Sequence, residues 1–143
     1  MKLVKFSLNS KVEICFDPSD SAFAEQLFNT FDALDQRYET YRSEISTTSD
    51  KRRVYEIDRK ADSEMREIID GLLGSRVSEV LFSDVRVYAM SGGRPLWANL
   101  LLAVADKLDT DYAREQRQRN LCIAKYMKMH KLRIKRHGKK ARR

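Results

Sequence analysis

Apolar positions are densest, and most clearly interrupted, between Asp62 and Leu108. Met65, Ile68, Ile69, Leu72 and Leu73 recur at helical spacing, and Gly74 then stops the pattern. Val77, Val80, Leu81 and Phe82 predict a short helix over 76–82, with Val85 and Val87 in a brief extended connector. Gly92-Gly93 must turn, and Pro95 suits the first turn of a helix, where its missing N–H costs nothing. Leu96, Trp97, Leu100, Leu101, Val104 and Leu108 then make the most buried helix. This stretch is expected to be the core of one small domain.

The flanking segments are patterned differently. Val4, Phe6 and Leu8 alternate with polar residues, as do Val12, Ile14 and Phe16, so Lys2–Leu8 and Val12–Phe16 read as a β-hairpin turning at Asn9-Ser10. A lone hairpin is marginal in water, so its apolar face must pack on something else. Asp17-Pro18-Ser19-Asp20 breaks the strand and caps a helix from about Ser21 to Ile45. In that helix Leu27, Phe31, Leu34, Tyr38, Tyr41 and Ile45 are spaced 4, 3, 4, 3, 4, an a/d seam. Ser46 to Asp50 is a polar loop, and Val54, Ile57, Ala61, Met65, Ile68 and Leu72 place a second helix over Lys51–Leu73. The two helices predict an antiparallel hairpin of nearly equal arms. Asp109-Thr110-Asp111 either interrupts the apolar helix or restarts it with a fresh cap. From Tyr112 no Gly or Pro intervenes before Gly138, which predicts one long basic helix to about Arg136. The fold class is therefore mainly α with a small N-terminal β-hairpin (α+β).

Charge divides the chain in two. Residues 114–143 hold thirteen Lys/Arg and one acid, Glu115, whereas residues 1–113 hold fifteen bases against twenty acids. The reading is a 1–112 domain and a 113–143 basic helical tail. Nine of the tail's bases, Arg114, Arg117, Arg119, Lys125, Lys128, Lys131, Arg133, Lys135 and Arg136, are candidate contacts for a polyanion, with steep salt dependence. A single aromatic, Tyr126, accompanies them, which is thin for base stacking.

At 143 residues the chain can bury about two thirds of its unfolded surface, so it needs neither metal nor disulfide. No apolar run reaches the roughly 18 residues of a membrane span, and the N-terminus lacks a secretory pattern. Cys15 and Cys122 read as free buried thiols of a reducing compartment. His130 and His137 have no Cys, Asp or Glu at ligand spacing, so no metal or cofactor is expected. Gly92-Gly93-Arg94 lacks the spacing of a phosphate loop. Asp106, Asp109 and Asp111 do not match an EF-hand. No nucleophile–base or acid–base pair can be nominated, and no enzymatic activity is expected.

The run EIIDGLLG followed by VSEVLF resembles the tail assembly chaperones of siphophages of Gram-positive hosts, with Ile69, Asp70, Leu72, Leu73, Gly74 and Leu81-Phe82 at the matching places. The similarity spans about Lys2 to Leu108, and 114–143 departs from the shorter members. The resemblance implies a non-enzymatic, oligomerising protein of the host cytoplasm. It would coat the tape measure protein and help recruit tail tube subunits. Some members are also made in a longer, frameshifted form, which directs attention to the codons of Gly138-Lys139-Lys140. On this reading Leu27, Phe31, Leu34, Tyr38, Tyr41, Ile45, Trp97 and Leu101 supply core and partner or self-association surface. The competing expectation is a nucleic-acid-binding accessory protein acting through the basic tail.

Overall fold

A computed structural model describes residues 3–8 and 10–129. The architecture is mainly α with a small N-terminal antiparallel hairpin. Strand β1 (Val4–Leu8) pairs with β2 (Val12–Phe16) in the register Val4↔Phe16 to Leu8↔Val12. The inner face of the hairpin finds its cover through stacked rings. Phe6 lies on Phe16 and Phe16 on Phe23, each at 4.7 Å between centroids. Lys2 and Asn9 lie outside the described residues, and Ser10 takes the left-handed turn conformation at φ 58°.

Helix α1 (Ser21–Ser46) starts where Asp20 accepts from the N–H groups of Ala22 (2.9 Å) and Phe23 (3.4 Å). Helix α2 (Lys51–Leu73) starts in the same way at Asp50, which accepts from Arg52 N at 3.0 Å. The pair is antiparallel: Arg37 meets Glu64, and one turn later along α1 Tyr41 meets the earlier Asp58. Gly74 ends α2 at φ 123°, ψ 159°, an extended conformation open to glycine but outside the expected left-handed helical region. The left-handed residue is Arg76, at φ 67°. Helix α3 (Val77–Phe82) receives its cap from α2, because Asp70 accepts from Ser78 N (2.8 Å) and Ser78 Oγ (3.0 Å).

The connector differs from the expectation. Residues 83–89 form turns, and the extended pieces come later as β3 (Met90–Ser91) and β4 (Arg94–Pro95). They close around Gly92 (φ 65°) and Gly93 (φ 88°), where the tight hairpin needs positive φ at both positions. Pro95 caps α4 (Leu96–Ala105) from outside its first turn. Helix α4 stops at Ala105 rather than Leu108, yet Leu108 stays buried.

Thr110 restarts the chain as α5 (Asp111–Arg119) by accepting from Ala113 N at 3.0 Å. The predicted single helix to Arg136 is broken at Asn120 (φ −72°, ψ 116°). The Asn120 carboxamide accepts from Cys122 N (2.9 Å) and Ile123 N (3.2 Å) and so caps a sixth helix, α6, over 121–129. Burial runs across the expected boundary at 112/113. Ala113, Ile123 and Tyr126 belong to the same buried cluster as Leu27, Phe31, Trp97 and Leu101, so 113–129 completes the core. A straight helix would carry Ile123 and Tyr126 away from α1, and the bend at Asn120 brings them back. The rest of the expected tail, 130–143, lies outside the described residues.

Candidate functional site

The residues read as a partner surface divide sharply by burial. Leu27, Phe31, Leu34, Trp97 and Leu101 are wholly buried in the chain's own core. Trp97 sits among Phe31, Tyr38 and Tyr126, with ring centroids at 5.4, 6.1 and 5.0 Å. The seam of α1 is thus covered from within, by α4 and α6, which withdraws those five residues from any partner. Tyr38, Tyr41 and Ile45, at the far end of α1, stay half-buried. Tyr41 stacks on Tyr88 at 4.3 Å, so even this end is partly occupied.

A polar network fastens the 83–88 connector to α2. Asp62, buried, accepts from Val87 N (2.8 Å), Arg66 Nε (2.8 Å) and Arg86 Nη1 (3.5 Å). Arg66 also donates to the carbonyls of Ser83 (2.8 Å) and Val85 (2.7 Å). Asp58 accepts from Arg86 Nε at 2.9 Å and from the Tyr88 hydroxyl. These carboxylates are engaged by fixed donors, an arrangement that holds the connector backbone in place. Between α1 and α2 a cleft of about 420 Å³ is lined by Arg37, Arg53 and Lys60 against Glu44, Glu56 and Glu64, a balanced set with no surplus charge for a ligand.

What stays open is the outer face of α4. Leu96, Asn99, Ala103 and Asp106 follow one another at helical spacing along it. On one side of this ridge is an apolar groove of about 140 Å³ lined by Leu8, Leu81, Phe82, Leu96 and Leu100. On the other is a groove of about 330 Å³ lined by Leu102, Ala105, Ile123 and Met127, with Arg94, Asp106 and Arg117 around it. Asn99 and Ala103 border both grooves. Asn99 holds the β3–β4 hairpin against the ridge, accepting from Arg94 Nε (2.8 Å) and donating to Ser91 O (2.9 Å). Met90 and Met127 project to solvent nearby, the second in contact with the Arg94 guanidinium. Burial pulls the Arg94 pKa below the ordinary arginine value, and Asp106 offsets only part of this.

Of the five basic candidates among the described residues, four are engaged within the chain. Lys125 Nζ lies 3.0 Å from Asp35 and 2.9 Å from Glu39 on α1. Arg117 Nη1 donates to the carbonyls of Ala105 (2.6 Å) and Leu108 (3.4 Å), closing the end of α4. Arg114 pairs with Asp109 and Asp111, and Arg119 with Glu115, at the surface. Solvent and salt screen exposed pairs of this kind, so a phosphate could compete for them. Lys128 is exposed. Lys131, Arg133, Lys135 and Arg136, and both histidines, lie outside the described residues. Cys122 is half-buried, and its thiol is pushed up to about 12 by burial and by Asp35 and Asp32. Cys15, expected to be buried, is exposed on β2 because its neighbours Ile14 and Phe16 take the inner face.

No protein-family model matches the chain, and no curated protein or solved structure shows significant similarity to it. Among the described residues no helix is long and apolar enough to cross a membrane, and no group of acids, His or Cys is placed to hold a metal ion.

The sequence pattern draws no attention to Asn99 or Ala103, and it sets Arg94 aside as part of a turn. A partial signal is present: Asn99 and Asp106, the polar positions in and just beyond an otherwise apolar helix, stand at helical spacing with Ala103 between them. An apolar helix with one narrow permissive stripe has most of its circumference covered and that stripe open.

Proposed function

We propose that this chain is a non-enzymatic tail assembly chaperone of the host cytoplasm, self-associating, that covers amphipathic helix of a tape measure protein and helps recruit tail tube subunits. The resemblance around Ile69 to Phe82 supports the family, and the α4 ridge supports the mode of action. The observation that carries the reading is a low ridge, Ala103 at its crest, between two apolar grooves. A small residue there lets another helix approach closely while its larger side chains enter the grooves on either side. The half-exposed end of the α1 seam, Tyr38, Tyr41 and Ile45, is a second surface suited to self-association.

Co-expression with a tape measure protein tests this. The client's soluble fraction should rise, and Ala103→Arg, a surface change that helices tolerate, should abolish the rise while leaving this chain folded. Equal client insolubility with and without the chain overturns the reading. The competing nucleic-acid role rests on the basic charge of 114–143, of which the part from Lys128 onward can be removed without cutting into the core residues Ile123 and Tyr126. A gel shift at graded salt that is lost on removing 128–143, with client binding unchanged, would favour it.

A further inference from the structure

We propose that the groove between α4 and α6 selects a client helix that carries a carboxylate beside its apolar stripe, received by Arg94 with Arg117 alongside. This rests on the helix-in-groove reading above and adds the client's chemistry to it.

Arg37, Arg66 and Arg86 each lie within ion-pair distance of a carboxylate. Arg94 and Arg117 do not, among the described residues. The partners of Arg94 are the neutral Asn99 Oδ1 at 2.8 Å and Met127 Sδ at 3.7 Å. Those of Arg117 are two backbone carbonyls. Both guanidiniums border the same apolar groove of about 330 Å³, where Asp106 is the one acid of the lining. Partial burial already disfavours the charged form of Arg94, and a carboxylate delivered by a partner would offset that cost.

Geometry supplies the rest. The Asn99 and Ala105 contacts fix the two guanidiniums in orientation, so little freedom is lost when an anion docks. Residues three or four apart on a helix are neighbours on one face, so a client helix that places a Leu between Ile123 and Leu102 can bring a Glu one turn away to Arg94. Planar guanidinium and carboxylate then pair through two parallel hydrogen bonds. Met127, flexible and partly exposed, can adjust to the shape of the apolar side chain.

The test uses the intact chain and two fluorescein-labelled synthetic peptides of about 18 residues, five helical turns. Both carry a Leu stripe; one is flanked by Glu, the other by Gln at the same positions. Anisotropy titration should give a Kd on the order of tenfold lower for the Glu peptide, with the gap narrowing as salt rises. Arg94→Gln should remove the preference, and Arg94→Glu should transfer it to a third peptide flanked by Lys. Thermal unfolding of both variants checks that they are folded, and the Lys-peptide reversal guards against a trivial loss. Equal affinity for Glu and Gln peptides overturns the inference and leaves the groove reading standing. Binding of neither peptide overturns both. Undiminished Glu-peptide binding by Ala103→Arg overturns the inference, as does a chain whose own dimer occupies this face and excludes the peptide.

Discussion

The Tyr126 hydroxyl donates to Asp35 Oδ1 at 2.5 Å, joining residues 91 positions apart. This bond ties α6 to α1, and Lys125 reinforces it by pairing with Asp35 and Glu39. It also puts the Tyr126 ring edge-on to Trp97 and Phe31 at the centre of the core. Tyr126→Phe should keep the ring and lose the bond, costing about 1 kcal/mol or somewhat more. Tyr126→Ala should cost about 3–5 kcal/mol through the cavity it leaves. Urea unfolding followed by the fluorescence of Trp97 measures both. A negligible effect of the alanine change would mean that 113–129 does not complete the core.

Alkaline pH should loosen the same joint. The Cys122 thiol is pushed up to about 12 from an ordinary value of 9.0, first by burial and then by Asp35 and Asp32. Burial and the bond to Asp35 also raise the Tyr126 phenol above its ordinary 10.0. Above pH 9 the unfolded chain releases the thiol proton while the folded chain keeps it, so stability falls with rising pH; above 10 the phenol adds to the fall. Melting temperature recorded from pH 7 to pH 11 should decline steeply at the alkaline end. The decline should be shallower in Cys122→Ser with Tyr126→Phe.

Two glycines of α2 and its end should respond in opposite directions to alanine. Gly71 lies inside the helix, and a Cβ there meets nothing within 4 Å. Gly71→Ala should stabilise by roughly 0.5–1 kcal/mol, since alanine loses less freedom on entering a helix. Gly74 has φ +123°, which alanine adopts only under strain, so Gly74→Ala should destabilise by about 1 kcal/mol or more. Chemical denaturation of the two variants side by side checks the opposite signs.

The Asp62 network predicts a local loss as well as a global one. Asp62→Ala removes the acceptor of the buried Val87 N and one of the three acceptors of Arg66, at a cost of about 1–3 kcal/mol. Hydrogen exchange should then speed up at Val87 before it does in α1. Exchange rising uniformly instead would mean that the network does not hold the connector.

Local pattern was enough to place the hairpin, α1 and α2 within two residues of their observed bounds. Their signals are local: alternation in Val4 to Leu8, carboxylate caps at Asp20 and Asp50, and a glycine stop at Gly74. The break at Asn120 was local too, but Asn is tolerated inside helices as well as at their starts, so nothing nearby distinguished cap from interior. Only tertiary structure decided which apolar stripe is covered. The seam at Leu27, Phe31 and Leu34 reads the same whether its cover comes from a partner or from α4 and α6. It likewise decided which bases are engaged, since Lys125 meets Asp35 across most of the chain's length. Periodicity records that a helix has an apolar face; what lies against that face depends on how distant segments return to it.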